Sequence, residues 1–162
     1  MMAFRIVYGV FMKAVKWILV VIVLIPVVIM VSFFIRNKAV GPEGWARDDV
    51  EKVLRAQMKD PDSMVIRSSY VVTRVSGAQT EISICGVVDG RNAFGGYAGG
   101  MKFASKSVSN KELGYFKTDT VKLENLADTA EARSVRMLSG FEEFYWNQFC
   151  VDASHPALTV GD

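Results

Sequence analysis

The chain has 162 residues, 19 of them basic and 17 acidic, for a formal net charge of +2. That length holds one compact domain and one further segment, not two domains. The cations form no basic block or aromatic-interleaved stripe, which argues against direct nucleic-acid binding, and the mean hydropathy of +0.22 traces mostly to one segment.

Residues 1–16 are expected to be a basic cytoplasmic segment. Arg5, Lys13 and Lys16 share one helical sector, and Phe4, Ile6, Val7, Val10, Phe11 and Val15 cover the rest. Two readings stay open: a helix lying on the anionic inner leaflet, or a continuation of the following helix with snorkelling cations.

Positions 17–35 read WILVVIVLIPVVIMVSFFI, without a charge. At 1.5 Å per residue such a run matches the thickness of a bilayer core, so a transmembrane helix is expected over 17–35. A cleavable signal peptide fits less well. Its apolar region runs only about 7–15 residues and ends in a small-x-small site, whereas here Asn37 stands two positions before Ala39. Pro26 within the run is read as tolerated. Orientation from charge is nearly balanced, with Arg5, Lys13 and Lys16 before the run and Arg36, Lys38 and Arg47 after it. A lone anchor followed by a long polar domain favours a cytoplasmic N-terminus.

Residues 36–44 read as a short linker, and residues 45–152 as a periplasmic domain. A helix is expected over about 43–59, with Ala46, Val50, Val53, Leu54 and Met58 on its buried face. Asp48, Asp49 and Glu51 complement its N-terminal dipole, and Asp60-Pro61-Asp62-Ser63 stops it. Strands are expected over 64–75, 79–88 and 101–108, with Ile82, Ile84, Val88 and Phe103 as core candidates. Tyr115, Phe116, Val121 and Leu123 suggest a short fourth strand. A last helix is expected over 129–149, placing Val135, Leu138, Phe141, Phe144 or Tyr145, and Phe149 toward the core. Residues 153–162 are a polar tail expected to fray. The fold class is therefore α+β: one N-terminal transmembrane helix, then a small domain of helix, three- to four-stranded antiparallel meander, and helix.

The two cysteines, Cys85 and Cys150, form no CxxC and cannot fill a four-ligand zinc site. A strand and a helix packed on its sheet can bring them together, and the anchor upstream implies an oxidising compartment, so a disulfide is expected over two buried thiols. In the entropy model it restricts the unfolded chain by about 4 kcal/mol.

Catalytic chemistry finds little support. His155, the single histidine, stands in the tail without an evident nucleophile or acid partner. Glu142 and Glu143 are adjacent on a helix and read as solvated surface. Asp60 and Asp62 could hold a cation, although turn capping is their commoner role. No GxSxG, HExxH or Walker sequence occurs, and no cofactor or metal is expected.

The run DGRNAFGGYAGG from Asp89 to Gly100 is the candidate site. A phosphate cradle would need a lysine and a following helix, which it lacks. A wide hairpin connection with Phe94 and Tyr97 tucked onto the sheet is one reading. The other is a protein-recognition loop carried by Arg91, Asn92, Phe94, Gly95, Gly96 and Tyr97.

Three stretches carry a resemblance: Lys59-Asp60-Pro61-Asp62-Ser63, the CGxVxxxNxFGGYxG-like run from Cys85 to Gly99, and Trp146 to Cys150. Together they resemble a set of small exported proteins of bacteria and prophages, with Asp89 standing where asparagine is frequent. The whole chain is similar to the SieA-type superinfection exclusion proteins of temperate lambda-like phages. That resemblance implies a prophage-made inner-membrane protein that stops a related phage from delivering its DNA. Its partners would be the membrane and phage proteins ejected with the DNA, and lateral contacts through the span would give a homo-oligomer. It assigns no role to any single residue. The competing expectation is an envelope module that binds a ligand or inhibits a cell-wall hydrolase. A third reading is an accessory subunit of a membrane complex, contacting it chiefly through the anchor.

Overall fold

Gly41 and Pro42 divide the chain into two compact units, Met1–Gly41 and Pro42–Asp162. The structure, a computed structural model, describes residues 2–97 and 99–160, without the side chains of 2–16, 18, 19, 34 and 36–39. The first helix, α1 (Met2–Gln57), is interrupted at Gly41, where φ is 62° and ψ is −175°. Only glycine adopts that geometry readily. Pro42 has no N–H to donate and suits the first position of a new helix. Over the expected linker, 36–44, the backbone is thus helical on both sides of a one-residue break.

In the first unit every described side chain over 20–33 is exposed. Among the described residues no helix is long and apolar enough to cross a membrane. The described run is shorter than the about 20 residues a bilayer core needs. The span expected over 17–35 also takes in positions 18, 19 and 34, whose side chains lie outside the described residues. The cationic sector expected of Arg5, Lys13 and Lys16 lies outside them too.

In the second unit, β-branched alternation produces four strands: β1 (Val65–Ser76), β2 (Gln79–Asp89), β3 (Met101–Asn110) and β4 (Tyr115–Leu123). They form one antiparallel sheet in the order β1-β2-β3-β4. Both its faces are covered. Against one face α1 sets Ala46, Val50 and Leu54, one residue per turn, onto Ile82, Ile84, Val88 and Phe103, and Met58 follows just past its end. Against the other face lie Cys85, Ala104 and Cys150, packed by Tyr70, Phe141, Tyr145, Trp146 and Phe149. Val53, expected in the core, is exposed on the flank of α1.

The expected last helix over 129–149 is two pieces. Asn125 caps α2 (Leu126–Ser134) by accepting from the Ala127 N–H, and the chain then turns at Arg136, whose φ is 56°. A second start follows at Ser139. Its hydroxyl accepts from the Glu142 N–H at 3.3 Å, and the Glu142 carboxylate accepts from the Ser139 N–H at 3.0 Å. This reciprocal pair is a capping box. It opens a π-helical turn, Glu142–Trp146, that passes into α3 (Asn147–Phe149). The break leaves Val135 exposed rather than buried, and of the pair Phe144 and Tyr145 it is Tyr145 that packs on the core.

The tail expected to fray is tied back. The Asn147 side chain donates to the Leu158 carbonyl and accepts from the Leu158 N–H, at 3.0 and 2.8 Å. Arg133 donates to the Thr159 carbonyl at 2.9 Å.

Candidate functional site

Asp89 ends β2 as a buried carboxylate. It accepts from the Gly90 N–H at 2.8 Å and pairs with Arg67 of β1 at 3.0 Å. Beyond it the Arg91 N–H donates to the Ser63 hydroxyl at 2.9 Å, and that hydroxyl donates to the Asp60 carbonyl at 2.8 Å. The Asp60–Ser63 turn is therefore the footing of the glycine-rich loop.

A β-bridge between Arg91 and Tyr97 closes the loop into a small ring. Inside it the Asn92 side-chain carbonyl accepts from the N–H groups of Phe94 and Gly96, at 2.9 and 3.2 Å. The Asn92 N–H donates to the Gly96 carbonyl at 2.8 Å, and the Gly95 N–H donates back to the Asn92 carbonyl at 3.0 Å. Gly95 has a φ of 81°, which a residue with a Cβ would resist. One asparagine and one left-handed glycine thus fix the tip.

The tip presents Phe94 at 97% exposure. Tyr97 is half-exposed beneath the guanidinium groups of Arg67 and Arg91, whose central carbons lie 5.1 and 5.9 Å from its ring centroid. The tucked-in alternative fails for Phe94, which stands almost wholly in solvent. All six loop residues singled out from the sequence fall in this ring. Arg67 and Ser63 were not singled out as site residues. They come from β1 and from the turn before it, and no local pattern joins them to the loop.

Two other groups differ from expectation. Glu142 is not solvated surface; it is fully buried. Its carboxylate takes Arg133 at 2.7 Å, and Lys102 stands 3.9 Å away. Burial pushes this carboxyl up. The Ser139 N–H and the Arg133 guanidinium outweigh that and hold it below the usual carboxylate range. The Ser139-x-x-Glu142 spacing signals its capping role but not its burial.

His155 does have an acid partner: its Nδ1 lies 2.9 Å from the Asp152 carboxylate. Its ring also stacks on Tyr70, with centroids 3.6 Å apart. The Ser154 N–H, then His155, hold the Asp152 carboxyl below its ordinary value. Burial, helped by the Asp152 charge, pushes the Tyr70 phenol up to about 12. Tyr70 therefore stays protonated and donates to the Cys150 carbonyl at 2.8 Å. These contacts fasten the tail to β1.

Cys85 and Cys150 form a disulfide with Cα atoms 5.7 Å apart. Among the described residues, no three His, Cys, Asp or Glu side chains are placed to share a metal ion.

Comparison of the chain with known protein families, curated proteins and solved structures yields no match. The reading of the site therefore rests on its geometry.

Proposed function

We propose that this chain is a prophage-encoded inner-membrane protein that excludes superinfecting phages. It blocks DNA delivery into the cell by binding rather than by catalysis. The 17–35 segment anchors it with the N-terminus in the cytoplasm and residues 45–152 in the periplasm.

The observation that carries the binding function is Phe94. A large apolar side chain held almost wholly in water, on a backbone fixed by Asn92, is a preformed anchor for a partner. Arg67, Arg91 and Tyr97 around it are residue types enriched at interface hot spots. The anchor draws support from the exposed apolar side chains of 20–33, which require a bilayer or a protein to cover them. The disulfide suits an oxidising compartment. The phage target draws support from the sequence resemblance.

The test is to express the chain in a susceptible host, challenge it with related phages, and score adsorption and DNA delivery separately. Normal adsorption with blocked delivery is expected, and Phe94→Ala should restore delivery while abundance stays normal. Normal delivery of DNA by every phage tested would overturn the proposal. Tight binding of the purified chain to a cell-wall hydrolase would then put an envelope inhibitor in its place.

A further inference from the structure

Beside the loop lies a cavity of about 300 Å³, lined by the end of α1, the start of the loop and the ends of two strands. Its apolar surface comes from Met58, Met101 and Leu123. Its polar side chains are Gln57, Lys59, Arg91 and Asn92. Met58 is nearly buried, and the Gly90 backbone lies so close over it that a Cβ there would come 3.1 Å from its sulfur.

Charge decides what the cavity takes. No carboxylate lines it. Among the described residues neither the Lys59 ammonium nor the Arg91 guanidinium meets a carboxylate, and the Asn92 amide nitrogen meets no acceptor. Asp89, the nearest acid in sequence to Arg91, is engaged by Arg67 and Gly90. Three donors without acceptors therefore share a cavity with the neutral Gln57 amide, two flexible thioethers and a leucine. Such a site selects an anion joined to a short apolar arm.

We infer that this cavity captures the C-terminal carboxylate of a partner protein whose last residue is leucine-like. The volume lies at the lower end for ligand pockets, enough for one terminal residue and too small for a long acyl chain. Carboxylate capture by a cluster of donors is an established mode of peptide recognition. The inference rests on the loop as a protein-binding surface and deepens it. Phe94 grips the body of the partner, and Lys59 and Arg91 hold its end.

The experiment uses the full chain in lipid nanodiscs and a fluorescent hexapeptide ending in leucine. The peptide is made once with a free carboxylate and once as the amide, with octanoate as competitor. The free acid should bind roughly tenfold or more tightly than the amide, the worth of one charge-assisted contact. Lys59→Gln and Arg91→Gln should each erase most of that preference. The acid/amide comparison on the unaltered chain stands even if a variant folds poorly. Equal binding of acid and amide, or no binding of either, overturns the inference. Octanoate binding more tightly than the peptide overturns it in favour of an acyl anion. Peptide capture by a chain that excludes no phage would keep the cavity and remove the phage reading. Exclusion without capture would remove the cavity alone.

Discussion

Ser83 and Ser105 are fully buried hydroxyls on neighbouring strands, and they act in opposite ways. Between the pairs Ile82–Ser107 and Cys85–Ala104 the β2–β3 ladder lapses. The Ser105 hydroxyl fills the gap, accepting from the Ile84 N–H at 2.9 Å and donating to its carbonyl at 3.0 Å. Ser83 Oγ is the buried side-chain polar atom that meets no partner among the described residues. Stranding a buried amide costs about 1–3 kcal/mol, and removing a stranded hydroxyl costs nothing of that kind. Ser105→Ala should therefore lower Tm clearly, and Ser83→Ala should leave it unchanged or raise it. Equal losses in thermal melts would contradict this. Glu142 makes a second prediction at this scale. Its carboxyl is depressed in the folded state, so its stabilisation is complete above the unfolded value near 4.3. It is lost as pH falls through the lower folded value. Glu142→Gln should destabilise the chain at neutral pH by about 3 kcal/mol, because Arg133 loses its buried partner. Its Tm should then fall less than that of the unaltered chain on acidification below about pH 4. Parallel Tm–pH curves would show that Glu142 adds no acid-sensitive stability.

Among the elements, the four strands and the 43–57 helix were legible, because β-branched alternation and a turn-by-turn apolar stripe reflect local geometry. The cysteine pairing was legible from the layering, which brings Cys85 and Cys150 together, joined to the oxidising compartment that the apolar run upstream implied. The split of the last helix was not seen. Val135, Leu138 and Phe141 keep a helical spacing across the break, and apolar periodicity masked the capping box at Ser139. The burial of Glu142 depends on Arg133 and Lys102 from other elements, which no local spacing reveals. At the site, the loop residues were legible from composition. The exposure of Phe94 was not, because composition does not say which side of a loop a side chain takes. The disulfide is the staple of the sheet's second face. Tyr70 and Arg74 of β1 bond to the carbonyls of Phe149, Cys150 and Val151 beside it. Reduction should cost about 2–4 kcal/mol overall. In hydrogen exchange it should also free the amides of 141–150 before those of β2, which lies between two partner strands. Uniform acceleration across both would mean that the staple acts only on the unfolded chain.

At the scale of the whole second unit, a four-stranded sheet with two free edges invites pairing between copies. On the proposed anchor, confinement to a membrane would raise the local concentration and sharpen that hazard. Both edges carry the same device. In β1 the register slips between Ile66 and Ser68, which leaves Arg67 as the extra residue. In β4, Ser107 pairs with Thr118 and Lys106 with Thr120, which leaves Asp119 as the extra residue. A bulge bends the strand, and a charge at the bulge must be desolvated before another strand can pair there. Arg67 cannot be removed cleanly, because Asp89 would then lie buried without its cation. On β4 the test is clean, since Lys117 and Asp119 pair with each other in the open at 2.7 Å. Replacing both by valine removes the charges and raises β propensity, and leaves no partner stranded. The doubly substituted chain should self-associate through β4 in a concentration-dependent way, seen by light scattering at the same detergent concentration as the unaltered chain. If its mass stays that of the unaltered chain, the bend of the bulge guards the edge and the charges do not.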